Sequence, residues 1–229
     1  MRQAIFGSTL ALGIVALTSG TAPAANTSPT GVELGIRSGY ALPFGDATGG
    51  GGDALGDNVR GVVPIWIDAG YRLNPSIFAG ASFQYGIGFV NTDHVANCSA
   101  GGVMSMGSSF VQSCSASDLI FGIDFHYHLM PEQTVDPWAG VGVGYEIMNN
   151  SRGAMSVNYK GFQFLNVQLG ADYKAMPNLG IGPFVMFSFG QFSNCSISGL
   201  EGGDCNAQTA MHEWLTLGIR GAYDINLGH

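Results

Sequence analysis

Eight stretches of this chain alternate apolar residues with glycine or polar residues at period two, and that alternation restricts the fold more than any other feature. Successive side chains of a β-strand point to opposite faces, so each stretch carries one apolar face. Val32, Leu34, Ile36, Tyr40, Leu42 and Phe44 form the first row, interrupted only by Ser38. The second is Ile65, Ile67, Ala69, Tyr71 and Leu73, and the third is Ile77, Ala79, Ala81, Phe83, Tyr85, Ile87 and Phe89. Leu119, Phe121, Ile123, Phe125, Tyr127 and Leu129 follow, then Ala139, Val141, Val143, Tyr145 and Ile147. The sixth row, Leu165, Val167, Leu169, Ala171 and Tyr173, is out of phase with Phe162 and Phe164, which predicts a β-bulge between them. Leu179, Ile181, Val185, Phe187 and Phe189 are the seventh, and Leu215, Leu217, Ile219, Tyr223, Ile225 and Leu227 the eighth.

The opposite faces read Gly35, Arg37, Gly39; Asp68, Gly70, Arg72; Gly122, Asp124, His126, His128; Gly140, Gly142, Gly144; and Gln168, Gly170, Asp172. Eight strands closed into a barrel leave a narrow lumen, which suits glycine and modest polar groups, whereas long apolar side chains suit lipid. The expected fold is therefore an all-β, eight-stranded antiparallel up-and-down transmembrane barrel with its apolar rows outward. Charged residues are only 10% of the chain, against roughly 25% in soluble proteins. Beyond the N-terminus no apolar run reaches the length of a membrane helix. A net charge of -8 with eight Lys and Arg in all speaks against a nucleic-acid partner.

Met1-Arg2-Gln3, the apolar stretch from Ala4 to Leu17 and the small residues Ala22-Pro23-Ala24 have the layout of a secretory signal peptide. Residues 1–24 are accordingly expected to be removed, leaving 25–229 as the barrel with four outer loops. In an exported chain Cys98, Cys114, Cys195 and Cys205 are expected in disulfides. Local pairing, Cys98 with Cys114 and Cys195 with Cys205, would bracket one Gly/Ser-rich loop each. A four-thiolate zinc site is the alternative, but its close cysteine pairs are missing.

A repeat marks alternate strand ends: Tyr71-Arg72-Leu73-Asn74-Pro75, Tyr127-His128-Leu129-Met130-Pro131 and Tyr173-Lys174-Ala175-Met176-Pro177, with Tyr223 closing the series. Tyrosines there make an interfacial belt, and proline follows where pairing stops. Long connections are expected at the other end, over Asp46–Arg60, Asn91–Ser117, Asn149–Gly161 and Ser193–His212. The short turns would face the periplasm and the long loops the exterior. Asp46, Asp53, Asp57, Asp93, Glu201 and Asp204 make those loops acidic, while Gly49-Gly50-Gly51-Gly52-Asp53 lacks the Lys-Ser/Thr of a phosphate loop.

On these strands, turns and leader the chain resembles the small outer-membrane β-barrels of the OmpA, OmpX and OmpW group, often labelled porin-like. The resemblance implies an integral outer-membrane protein, exported, monomeric, embedded in outer-membrane lipid and lipopolysaccharide and inserted by the barrel-assembly machinery. Two departures are visible. The chain ends soon after the eighth row, without an appended peptidoglycan-binding domain, and Asn226-Leu227-Gly228-His229 lacks a terminal aromatic.

The polar faces assemble one constellation: Glu33, Arg37, Asp68, Arg72, Asp124, His126, His128, Glu146, Asp172, Arg220 and Asp224. Counted from the tyrosine belt, Asp68, Asp124 and Arg220 should share a layer with Arg37. These groups form an ion-pair plug, or, if they rearrange, a narrow pore for small solutes. His126 and His128 with Asp124 have the spacing of a metal pair, although hydrogen bonding to carboxylates explains them as well. Asp93-His94 and His212-Glu213 could serve a lipid-modifying enzyme with nearby Ser99 or Ser115. The expectation is non-enzymatic, with no cofactor, no resident metal and an envelope-structural or surface-binding role; the channel and the enzyme are the alternatives.

Overall fold

The computed structural model describes residues 30–47, 54–91, 93, 98–99, 112–199, 203–204 and 210–226. The expected leader 1–24, His94, Cys205, Glu201 and the Gly49–Asp53 loop lie outside them. Eight long strands are β1 (Gly31–Gly45), β2 (Val59–Asn74), β3 (Ile77–Val90), β4 (Gln112–His128), β5 (Val135–Arg152), β6 (Met155–Met176), β7 (Leu179–Ser198) and β8 (Ala210–Asn226). Each pairs antiparallel with the next, and β8 pairs with β1, so the sheet closes on itself. Closure leaves no open edge along the barrel wall.

The alternation sorts the two faces as expected. Ile123, Ile219 and Phe162 are each about two-thirds exposed, at 66%, 64% and 64%, while Arg37, Glu146, Gln168 and Arg220 are buried inside. Apolar-out, polar-in is the inverse of a soluble barrel. The bulge in β6 is present: its register against β7 shifts between Gln163 and Leu165, and against β5 between Gly142 and Gly144. Phe164 and Leu165 both face outward, so the extra residue returns the apolar row to its face after the phase slip.

Two of the four long connections are shorter than the sequence suggested. β5 runs to Arg152 and β6 begins at Met155, so the third is a two-residue turn through Gly153, whose φ of 57° suits glycine. β7 likewise extends to Ser198 and β8 starts at Ala210. The ladder continues where the apolar row has stopped, because backbone pairing does not need an apolar side-chain pattern. The first connection holds a single helical turn, α1 (Leu55–Asn58), which drops Leu55 into full burial.

At the opposite end β2–β3 and β6–β7 turn tightly, at Pro75-Ser76 and Pro177-Asn178. Tyr71, Tyr127, Tyr173 and Tyr223 all stand exposed there. Inside, an apolar cap of Ala41, Leu55, Val59, Val62, Met148, Phe192 and Trp214 closes the long-connection end, and Trp66, Trp138, Phe184 and Met186 pack midway. Large rings cross so narrow a lumen only where the facing wall is bare. A Cβ on Gly170 would sit 2.5 Å from the Trp138 ring, and one on Gly190 would sit 2.6 Å from His212.

Candidate functional site

The lumen is filled by three tiers of polar side chains, stacked from the short-turn end toward the apolar cap. In the first tier Glu33 receives Arg72, with Nε at 3.0 Å and Nη2 at 2.5 Å, and also Nη2 of Arg220. Arg220 Nη1 donates to Asp172 Oδ2 at 2.5 Å, and Trp138 Nε1 donates to Asp172 Oδ1 at 3.1 Å. The Arg220 guanidinium lies 4.9 Å from the Trp138 ring centre, within cation–π range. Asp224 lies 3.4 Å from Arg72, and His128 Nδ1 is 2.8 Å from Asp136. Lys174 donates to the Pro131 carbonyl at the barrel's end.

Arg37 centres the second tier. It donates to Gln168 Oε1 at 2.6 Å and Asp68 Oδ1 at 2.7 Å, with Asp124 Oδ2 at 3.4 Å. Gln168 completes the ring through its own bond to Asp124 Oδ1 at 2.8 Å. In the third tier Glu146 takes His212 Nε2 at 2.9 Å and Trp214 Nε1 at 3.1 Å, and Gln84 donates to Asp118 Oδ2 at 2.7 Å. The His212 ring stacks on Phe192 at 3.9 Å, which ties this tier to the apolar cap.

Buried charges are costly unless paired, and three arginines meet that cost for the lower two tiers. One expected grouping differs. Arg37 and Arg220 are direct cross-strand partners at one level of the wall, but the Arg220 side chain bonds Glu33 and Asp172 rather than Asp68 and Asp124. Like charges placed opposite each other repel, so the two guanidiniums diverge, one into each tier. His126 and His128 do not converge on a common point. His126 is held between Phe78 and Trp138, at 5.0 and 4.8 Å between ring centres, while His128 reaches Asp136. Among the described residues no cluster of three metal-ligating side chains occurs. His212 sits in β8 rather than a loop and pairs across the lumen with Glu146, not with its neighbour Glu213.

Sequence reasoning passed over Asp118, Asp136, Gln84 and Trp138. The signal was present: Asp118 lies six residues before Asp124 on the same phase of β4, and Asp136 and Trp138 share the phase of Glu146 on β5. Asp118, Asp136 and Trp138 flank the ends of their apolar rows, whereas Gln84 lies within its row, between Phe83 and Tyr85.

No family model matches the chain, and no curated protein matches it either. Solved structures do. The Neisserial surface protein A is 12% identical with a TM-score of 0.50, over 85% of this chain and 97% of that one. A major outer membrane protein from Thermus thermophilus is 13% identical with a TM-score of 0.50, over 85% and 99%. The fold is that of the small outer-membrane β-barrels. OprG from Pseudomonas aeruginosa, 14% identical over 86% of this chain and 98% of its own, superposes at a TM-score of 0.49. At these identities the likeness concerns the barrel and carries no residue of the lumen with it.

Proposed function

We propose that the chain is a monomeric integral protein of the bacterial outer membrane, non-enzymatic, with an envelope-structural or surface-binding role. The observation that carries this reading is a lumen obstructed at every level beneath a predominantly apolar outer wall. The cavity left between the second and third tiers has a volume of about 10 Å³, the room of one water molecule. Solute passage would require breaking the Arg37, Arg72 and Arg220 pairs in turn and moving the cap of Leu55, Met148 and Phe192. Outward, exposed rows from Leu34 and Ile36 round to Leu217 and Ile219 would be strongly unfavourable in water and are favourable against acyl chains. The tyrosine ring would then mark the periplasmic interface, lipopolysaccharide would surround the opposite rim, and insertion would fall to the barrel-assembly machinery. Export would depend on the leader 1–24.

Refolded protein, checked for barrel formation by a heat-shifted gel band, is expected to be silent in a planar bilayer. Discrete, salt-dependent openings that Arg220→Ala alters would instead establish a channel.

The cysteine expectation belongs to the same reading. Cys114 and Cys195 are buried and neither is a free thiol. The backbone pairs Cys98 with Gln112 and Asp204 with Ser196, which brings the segments of each expected bridge side by side. Exported protein denatured without reductant is expected to take up no maleimide, and four labels after reduction. Four labels without reduction would remove both bridges.

A further inference from the structure

The third tier is short of positive charge. Asp118 lies beside the Glu146 carboxyl, and both are buried, at 2% and 0% exposure. Besides the hydrogen-bond contact between the two carboxyls, their side-chain partners are Gln84, Trp214 and His212; among the described residues no Arg or Lys bonds to either carboxyl. Arg37, the guanidinium of the tier below, is already bound to Asp68, Asp124 and Gln168. A carboxyl pair shielded in this way needs either a proton or a compensating cation.

The cavity described above lies at this point, with Asp118, Gln84, Gln163, Ser188 and Thr216 on its polar side. Two of the oxygens around it are unspent. Asp118 Oδ1 and Ser188 Oγ are both fully buried without a hydrogen-bond partner, and Ser188 is 1% exposed. Leaving two buried acceptors unsatisfied next to an empty space of one-water size is costly, and filling it satisfies both. The lining supplies oxygen, amide and hydroxyl groups and neither thiol nor imidazole, which suits a hard cation rather than a transition metal. Water would satisfy the oxygens but not the charge.

We propose that this cavity binds one small monovalent cation, sodium or a hydrated proton, held by the free oxygens of Asp118 and Ser188 and enclosed by the barrel wall. The ion balances Asp118 and locks the third tier beneath the apolar cap. The titratable groups facing it are Asp118 on β4, Glu146 on β5 and His212 on β8; the lining residues of β1, β2, β3, β6 and β7 are uncharged. The proposal goes beyond the membrane role and holds whether or not the barrel conducts.

The thermal unfolding midpoint of the refolded barrel in detergent tests it, at constant ionic strength with sodium chloride replaced stepwise by choline chloride, at two pH values. Choline is too large for the cavity. If the ion is sodium, the midpoint is expected to rise with sodium in the wild type, by a margin that Asp118→Asn abolishes and Ser188→Ala reduces. If it is a hydrated proton, the midpoint is insensitive to the salt exchange but falls as pH rises, and both substitutions weaken that fall. A sodium margin or pH dependence that Ser188→Ala leaves intact would overturn the site, since neither a general salt effect nor simple protonation of a carboxyl needs that hydroxyl. Indifference of the wild type to both variables would overturn it equally. Ser188→Ala removes one atom, so the test survives if Asp118→Asn does not fold.

Discussion

Replacing Arg220 by alanine is expected to destabilise the barrel by about 3–5 kcal/mol, the usual cost of removing one partner from a buried ion pair. Arg220 is fully buried and joins Glu33 on β1 to Asp172 on β6 across the lumen. Without it Asp172 keeps the Trp138 indole and Glu33 keeps Arg72, so each acid retains a partner and the barrel still forms. What is lost is the cation that neutralises Asp172. Urea unfolding in lipid vesicles, followed by the heat-shifted band, measures the effect. Adding Asp172→Asn to Arg220→Ala is expected to recover part of the loss, because the charge left unpaired is then absent. A loss below about 1 kcal/mol would place Arg220 among weakly coupled surface-like pairs and contradict the tiered lumen.

Ile123→Arg is expected to cost about 2–4 kcal/mol in a bilayer, the penalty for a cation on the lipid face near the midplane. Ile123 is the most exposed of the large apolar residues at 66% and lies four residues along β4 from the belt residue Tyr127. At about 3.4 Å per residue and a strand tilt near 40°, that is about 10 Å above the belt, close to half of a 25 Å apolar band. Leu129→Arg, on the other side of Tyr127, provides the depth control and is expected to cost about 0–1 kcal/mol. Both proteins should fold in detergent, where the substituted side chain can reach water, and differ only in vesicles. Equal tolerance of arginine at both depths would mean that the outward rows do not face lipid.

The legible part of this protein is everything that period two controls. Which residues look outward, where the tyrosine belt lies and where β6 slips phase all follow from side-chain alternation, since a strand has only two faces. The strand ends were less readable. β5, β6, β7 and β8 continue past their apolar rows as Asn149-Asn150-Ser151, Ser156-Val157-Asn158 and similar stretches that read as loop. Backbone pairing persists there without an apolar side-chain pattern.

The sequence by itself determined the barrel, its inverted polarity and most of the lumen's charged residues, because each depends on a residue's position along its own strand; Asp118, Asp136, Gln84 and Trp138 were added by the structure. Partnership depended on closure. Arg37 and Arg220 carry identical local signals, yet one turns to Asp68 and Asp124 and the other to Glu33 and Asp172, for they meet only once β8 is paired with β1. His212 finds Glu146 at a separation of 66 residues, and α1 drops Leu55 over the lumen from a loop with no apolar row. Contacts across the lumen are set by the stagger of eight closed strands, a quantity that belongs to the whole sheet and to no single segment of it.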